Sequence, residues 1–213
     1  MTKSDHIPAP AVQRLSLYLR QLESFHAGRK FTVSSRQLGR PLGLSDAQVR
    51  KDLAYFGQFG HPGVGYRVPE LIERVRRILG TDKTSNVVIV GIGNLGRALL
   101  SFKGFSNKKF EVVAAFDNDD ALIGTELPGP QSIRIQPMHE LTATVREKAI
   151  RMGILAVPDS VAQTVAEDMI AAGLRAILNF APVALQVGAG IAVTTVDLAV
   201  HLEQLSFQMN DEM

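Results

Sequence analysis

The sequence predicts an α/β fold in two domains: an N-terminal winged helix, then a doubly wound parallel sheet followed by one more helix. Three observations predict it. Val87-Val-Ile-Val90 reads as a buried strand running into Gly91, Gly93 and Gly96, spaced G-x-G-x-x-G, with a helical pattern opening at Asn94. Strand-like and helix-like segments then alternate, with short connections, to residue 196. Before residue 80, a helix, a three-residue turn and a capped helix lead into a glycine-rich stretch, the pattern of a winged helix-turn-helix.

Composition narrows the function. At 213 residues there is length for one large domain or two small ones. Cysteine is absent, which excludes disulfides, thiolate zinc sites and cysteine nucleophiles, and no catalytic or metal-ligating set is assigned. There is no apolar signal core at the N-terminus, and no apolar run approaches the roughly 20 residues of a membrane helix. A cytoplasmic protein with no membrane partner is expected. Charge is unevenly divided: residues 1–80 hold 13 Lys+Arg against 6 Asp+Glu, and residues 81–213 hold 10 against 15. A basic segment joined to an acidic one points to a polyanion for the first and a small ligand for the second, although chance unevenness of solvated faces gives the same sum.

The chain divides into residues 1–80, a polar linker 81–85, a sheet domain 86–196 and a terminal helix 197–213. Pro8 and Pro10 open a first helix with an apolar stripe at Val12, Leu15, Leu19, Leu22 and Phe25, ending near Gly28. Lys30 to Val33 is extended. Ser34 or Ser35 caps a short helix in which Gly39 and Pro41 are poor residues. Ser45 caps the next helix, with Gln48 at the capping-box position. There Val49, Leu53 and Phe56 share one face, while Ala47, Lys51 and Ala54, flanked by Gln48 and Arg50, form an opposite face narrow enough for a major groove. Residues 57–66 read as a hairpin, the wing, and a helix follows from Pro69 to Leu79. Arg36, Arg40 and Arg67 are candidate phosphate contacts.

In the second half, the three glycines have separate tasks: a tight turn, close approach of a pyrophosphate, and close helix–strand packing. Asp117 ends the next strand, 21 residues beyond Gly96, where a carboxylate accepts from adenosine ribose hydroxyls and repels a 2′-phosphate. NAD(H) is therefore favoured over NADP(H). Helix 94–104, strand 111–116, an irregular stretch 124–130, a short strand near 133–135, helix 138–148, strand 153–157, helix 160–172 and strands 176–180 and 191–196 complete the pattern. The loops at Val157-Pro158 and Asn179-Phe-Ala-Pro182 then border the ligand, since such sites lie at the carboxyl ends of strands. The last helix, Asp197 to Met209, carries Leu198, Leu202, Leu205 and Met209 on one face with Val200 and Phe207 off it, and reads as a dimer element.

Several stretches carry a family resemblance: Tyr18-Leu-Arg20, Ser45-Asp-Ala-Gln-Val-Arg-Lys-Asp-Leu53, Tyr55-Phe-Gly57, Gly63-Val-Gly-Tyr66, Val90-Gly-Ile-Gly-Asn-Leu-Gly-Arg-Ala-Leu99, Ala115-Phe-Asp117, Asn179-Phe-Ala-Pro182, Val196-Asp197 and Leu205-Ser-Phe207. In that order, across both domains, they resemble the Rex family of bacterial redox-sensing transcriptional repressors. The resemblance implies a homodimer on palindromic double-stranded operator DNA, NADH and NAD⁺ as ligands, and a C-terminal helix swapped between subunits. Carried over, Gly91, Gly93 and Gly96, with Asn94 and Leu95 among them, form the cofactor loop. Asp117 meets the ribose, and Pro158, Asn179, Phe180 and Pro182 surround the nicotinamide. The resemblance also links Arg20 with Asp197 as a ligand-sensitive tie between domains, while the helix and wing pattern makes Ser45, Ala47, Gln48, Arg50, Lys51, Tyr55, Arg36 and His61 the residues expected to face DNA. The chain departs from the family at Phe102, where a tyrosine is frequent, and at His61-Pro62, where the wing usually carries a basic residue.

Two other readings use the same residues. A dehydrogenase needs a proton donor in the site, yet none of His6, His26, His61, His139 and His201 sits at the carboxyl end of a predicted strand. A DNA-binding dimer sensing another nucleotide, such as a coenzyme A derivative, is opposed by Asp117.

Overall fold

The computed structural model describes residues 7–60, 63–127 and 132–210, and His6, His61 and Pro62 lie outside them. The chain forms two compact units, the first reaching Lys83 and the second starting at Thr84.

In the first unit, α1 (Ala9–Ala27) has Pro8 as its N-cap and ends on Gly28. Its buried stripe is Ala11, Leu15, Tyr18, Leu19 and Leu22, while Val12 is exposed. Leu15, Leu19 and Leu22 are thus buried as expected and Phe25 packs against the same core, while Ala11 takes the place of Val12 and Tyr18 widens the stripe. A short strand, β1 (Thr32–Val33), precedes α2 (Ser35–Gly39), which has a full capping box between Ser34 and Gln37. One 3₁₀ turn, Arg40–Leu42, follows. Gly39 is required by packing, not merely tolerated: a Cβ there would lie 2.5 Å from the Leu44 carbonyl oxygen. The turn then delivers α3 (Asp46–Ala54), with Val49 and Leu53 buried as expected.

The glycine-rich stretch after α3 does not pair with itself among the described residues. Instead β2 (Tyr66–Arg67) pairs antiparallel with β1, so the strand preceding α2 supplies the partner. Helix α4 (Val68–Leu79) closes the unit, its Leu71, Ile72 and Val75 packed into a core with Leu15, Leu22, Leu38 and Leu53.

The second unit is a seven-stranded sheet among the described residues, built from β3 (Ser85–Val90), β4 (Phe110–Asp117), β5 (Glu126–Leu127), β6 (Ile133–Pro137), β7 (Met152–Leu155), β8 (Ala176–Asn179) and β9 (Ala192–Thr195). The order is β5-β6-β4-β3-β7-β8-β9, and every pairing except β5 with β6 is parallel. Taking the parallel strands alone in chain order gives 3-2-1-4-5-6, which reverses direction between β3 and β7. The period-2 alternation of β3 divides the core. Val88 and Val90 face α7 (Leu141–Glu147) and α8 (Asp159–Ala171), whereas Val87 and Ile89 face α5 (Asn94–Leu100) and α6 (Lys103–Ser106).

Two expected elements differ. The single helix 94–104 is two, interrupted at Ser101 and Phe102, with Phe102 as the cap of α6 and its ring edge-on to Phe105 at 5.1 Å. The stretch expected to be irregular contains β5. The chain closes with α9 (Leu198–Asn210), none of whose residues is buried.

Candidate nucleotide and nucleic-acid sites

The loop after β3 turns because Gly91 adopts φ +92, a left-handed conformation that favours glycine. A side chain there would also meet the Ala156 carbonyl oxygen at 2.4 Å, across the point where β3 and β7 diverge. Gly96 fills the third role, since a Cβ would sit 2.0 Å from the Gly91 carbonyl oxygen and push α5 off the loop. Gly93 differs from both: a Cβ there meets only open space. No fold requirement holds glycine at 93, so the bare backbone is available to an approaching phosphate.

Asp117 reaches back to this loop from the end of β4. Its Oδ2 accepts the Ile92 N–H at 2.6 Å, and its Oδ1 accepts the Asp119 N–H at 2.9 Å. The carboxylate therefore clamps two backbone turns while keeping lone pairs for ribose hydroxyls. Together, Gly91, Gly93, Asp117, Asn118, Asp119, Leu122, Met138, Ala156, Val157 and Pro158, with Val90, Val161 and Val165, line a cavity of about 400 Å³. The donor and acceptor set suits a dinucleotide: open backbone for a pyrophosphate, carboxylate for a ribose, apolar walls for a base.

The Asn179 loop behaves differently. Asn179 is fully buried; its Nδ2 donates to the Ala181 and Val183 carbonyls and to Thr195 Oγ1, and its Oδ1 accepts from the Ala181 N–H. The side chain shapes the turn that carries Phe180 and Pro182, and links β8 to β9. Phe180 is half-buried against the Ile89 side of the sheet and Pro182 is exposed, and neither lines the cavity. Asn94 and Leu95 lie exposed on the first turn of α5.

In the first unit, Ala47, Arg50, Lys51, Ala54 and Tyr55 are exposed on α3 and its C-cap. Ser45 Oγ accepts the Gln48 N–H at 3.1 Å. The Gln48 side chain does not return to Ser45, which corrects the expected capping box. Arg50 donates to Asp46 Oδ2 at 2.7 Å and to Ser35 Oγ at 3.0 Å, tying α3 to the start of α2. That bond holds the Asp46 carboxyl below its ordinary range. Arg36 and Arg40 are exposed, and Arg67 pairs with Glu70 at 3.1 Å. Arg74 covers the Phe59 ring at 5.5 Å and donates to the Gln58 carbonyl, fixing the loop behind α3.

The residue the sequence reading missed is Asp52. It is fully buried, and its carboxylate accepts from Arg14 Nε at 2.5 Å, Arg14 Nη2 at 2.8 Å, the Tyr18 hydroxyl at 2.7 Å and Gln48 Nε2 at 2.7 Å. Burial raises the Asp52 pKa, but the bonds from Arg14, Tyr18 and Gln48 outweigh it and hold the carboxyl below its ordinary range. Burial and the bond to Asp52 push the Tyr18 phenol well up.

Comparison with known proteins assigns the fold. A family model described as "Putative DNA-binding protein N-terminus" matches residues 6–54, and one described as "CoA binding domain" matches residues 82–183. The redox-sensing transcriptional repressor Rex of Carboxydothermus hydrogenoformans is 44% identical over 97% of this chain and 98% of its own length. The chain belongs to the Rex family. The Rex repressor of Chloroflexus aggregans, 40% identical, covers 100% of this chain and 99% of its own. Among solved structures, RSP in complex with β-NAD⁺ and operator DNA superposes with a TM-score of 0.91 at 33% identity, covering 97% of this chain and 94% of that one. RSP in complex with β-NADH gives 0.85 at 31% identity over 97% and 96%.

Of the two residues expected to couple the domains, Arg20 is exposed on α1, and Asp197 Oδ1 accepts the Ala199 and Val200 N–H groups at 2.9 and 3.3 Å. Asp197 thus starts α9, a role its position before a helix already signals.

Proposed function

We infer that this protein is a redox-sensing transcriptional repressor that binds double-stranded operator DNA and reads NADH against NAD⁺, and that it is not an enzyme. The observation that carries this is one chain holding both an exposed Ala47–Lys51–Ala54 face and a cavity framed by Gly91, Gly93 and Asp117. The full-length relatives named as Rex repressors, and RSP structures with NAD⁺, NADH and operator DNA, support each half. Gly91, Gly93, Asn94, Leu95 and Gly96 would hold the pyrophosphate and Asp117 the adenosine ribose, with Pro158 closing the far side. When bound, the dinucleotide supplies a nicotinamide whose charge differs between its two redox forms.

The working form is a homodimer in the cytoplasm, where its operator is. The exposed apolar α9 supports the dimer, and the resemblance supports its exchange between subunits. Half-sites about 34 Å apart per helical turn accept two recognition helices only at matching spacing. NADH then acts by binding better to a dimer whose helices are wrongly placed. A hundredfold preference shifts the balance by about 2.7 kcal/mol per site, and two sites make release decisive. Arg20 and Asp197 are the proposed tie through which the ligand state is passed.

Against the dehydrogenase reading stands the cavity lining, which among the described residues includes none of His26, His139 and His201. The coenzyme A reading has the description of the matched family model in its favour and Asp117, which repels a ribose phosphate, against it. Fluorescence anisotropy on a palindromic duplex, at fixed salt, tests all of them. Release by NADH, blunted by NAD⁺ and not produced by NADPH or acetyl-CoA, is expected. Binding indifferent to every nucleotide would overturn the sensor.

A further inference from the structure

A buried carboxylate is an expensive way to join two helices, and Asp52 uses four donors to do it. Its Oδ2 is filled by Arg14 Nε and the Tyr18 hydroxyl, and its Oδ1 by Arg14 Nη2 and Gln48 Nε2. Arg14 and Tyr18 come from α1 and suffice as anchor. The fourth donor comes from α3 itself, one turn before Asp52 and next to the exposed Ala47. Gln48 is half-buried, standing where the core of the unit gives way to the face that the sequence presents to a groove.

The geometry points to Asp52 as a positioning residue that sets the orientation of the Gln48 amide for reading an adenine in each operator half-site. This rests on the DNA-binding reading above. An unanchored glutamine can present its amide either way round, and the two orientations recognise different base edges. With Nε2 held 2.7 Å from a carboxylate oxygen, the flipped amide would bring oxygen against oxygen and is excluded. One orientation remains, with Oε1 and a second N–H still to be used. A fixed acceptor beside a fixed donor matches the N6–H and N7 of adenine in the major groove, and the early residues of a recognition helix are those that reach base edges. Asp52 itself is fully buried and touches no base. Arg50, the neighbouring candidate, is already bound to Asp46 and Ser35, which suits it to the backbone more than to a base.

The test is enrichment of duplexes from a random pool by the full-length protein, followed by anisotropy on the enriched site and its single-base variants at fixed salt. Wild type, Gln48→Ala and Asp52→Asn are compared. Adenine preference at one position per half-site is expected to fall about 10- to 100-fold in both variants. The double variant should be no less selective there than Gln48→Ala, selectivity being read within each protein as the ratio of its affinities for the adenine site and the single-base variants, so that a general loss of binding cancels. A merely structural Asp52 would lower all affinities together. Gln48→Ala alone decides the matter if Asp52→Asn does not fold: an unchanged base preference in it overturns the proposal, and a loss confined to a position other than adenine overturns the adenine assignment. Wild-type protein that enriches no site overturns the DNA-binding reading beneath it, an outcome distinct from both.

Discussion

Asp117 Oδ2 lies 2.6 Å from the Ile92 amide nitrogen, so the residue that ends β4 also holds the glycine loop of β3. Asp117→Ala therefore removes a ribose acceptor and a loop clamp at once. NADH affinity should fall by at least tenfold, about 1.4 kcal/mol, with a smaller loss or a gain for NADPH. The clamp can be seen separately: amide exchange at Ile92 should quicken in the variant even without nucleotide. Unchanged exchange there would leave the ribose role alone.

The glycines give a sharper contrast. Gly91→Ala places a side chain 2.4 Å from the Ala156 carbonyl oxygen at φ +92, and should destabilise the second unit by about 3 kcal/mol. Gly93→Ala meets open space and should leave the melting temperature in place while weakening nucleotide binding at least tenfold, about 1.4 kcal/mol. Thermal melts alongside NADH titration measure both. A large loss of stability in Gly93→Ala would mean that glycine is there for the fold.

Asp52 makes the first unit acid-sensitive. Its pKa is lowered on folding, so its contribution is complete above the unfolded value of about 3.9 and is lost as pH falls through the folded value. Protection of α1 and α3 amides from hydrogen exchange should therefore decline below about pH 4. Asp52→Ala should cost about 3 kcal/mol near neutrality, because it leaves the Arg14 charge and Tyr18 hydroxyl without their acceptor. Its stability should then change less with acid than that of wild type.

Much of this was legible in the sequence, and the exceptions have physical reasons. G-x-G-x-x-G shows in order because each glycine answers a different steric demand, and Ser45 and Ser34 show because a cap needs an oxygen before a helix. Asp52 was hidden by its charge, which reads as solvated. Yet it stands three residues after Val49 and one before Leu53, inside the apolar stripe, and an acid at a stripe position asks for buried donors. Asn179 is the converse case, an amide whose own hydrogen bonds were overlooked. Its strand alternation with buried Ile177 already placed it inward, where an amide is spent on its own turn. The break at Phe102 leaves no mark, since the apolar pattern runs through it. The strand partner of β2 is likewise distant in the chain, and local periodicity says nothing of pairing.

The terminal helix offers the simplest disruption. Leu202 and Phe207 are 68% and 66% exposed, so charge at both should disturb nothing within the chain. Leu202→Glu with Phe207→Glu is expected to give monomers in sedimentation velocity where wild type gives dimers, with nucleotide affinity reduced less than operator affinity. Wild-type monomers at micromolar concentration would refute the dimer.

An α9 that buries none of its residues within its own chain has a consequence for dosage. If only paired chains occupy an operator, then at low expression occupancy rises with the square of the number of chains, and halving the gene's output removes three quarters of the bound state. The same nicotinamide ratio would then be read differently by a starved cell and a well-supplied one. Abundance would become a second input to the switch, set by how readily two terminal helices find each other.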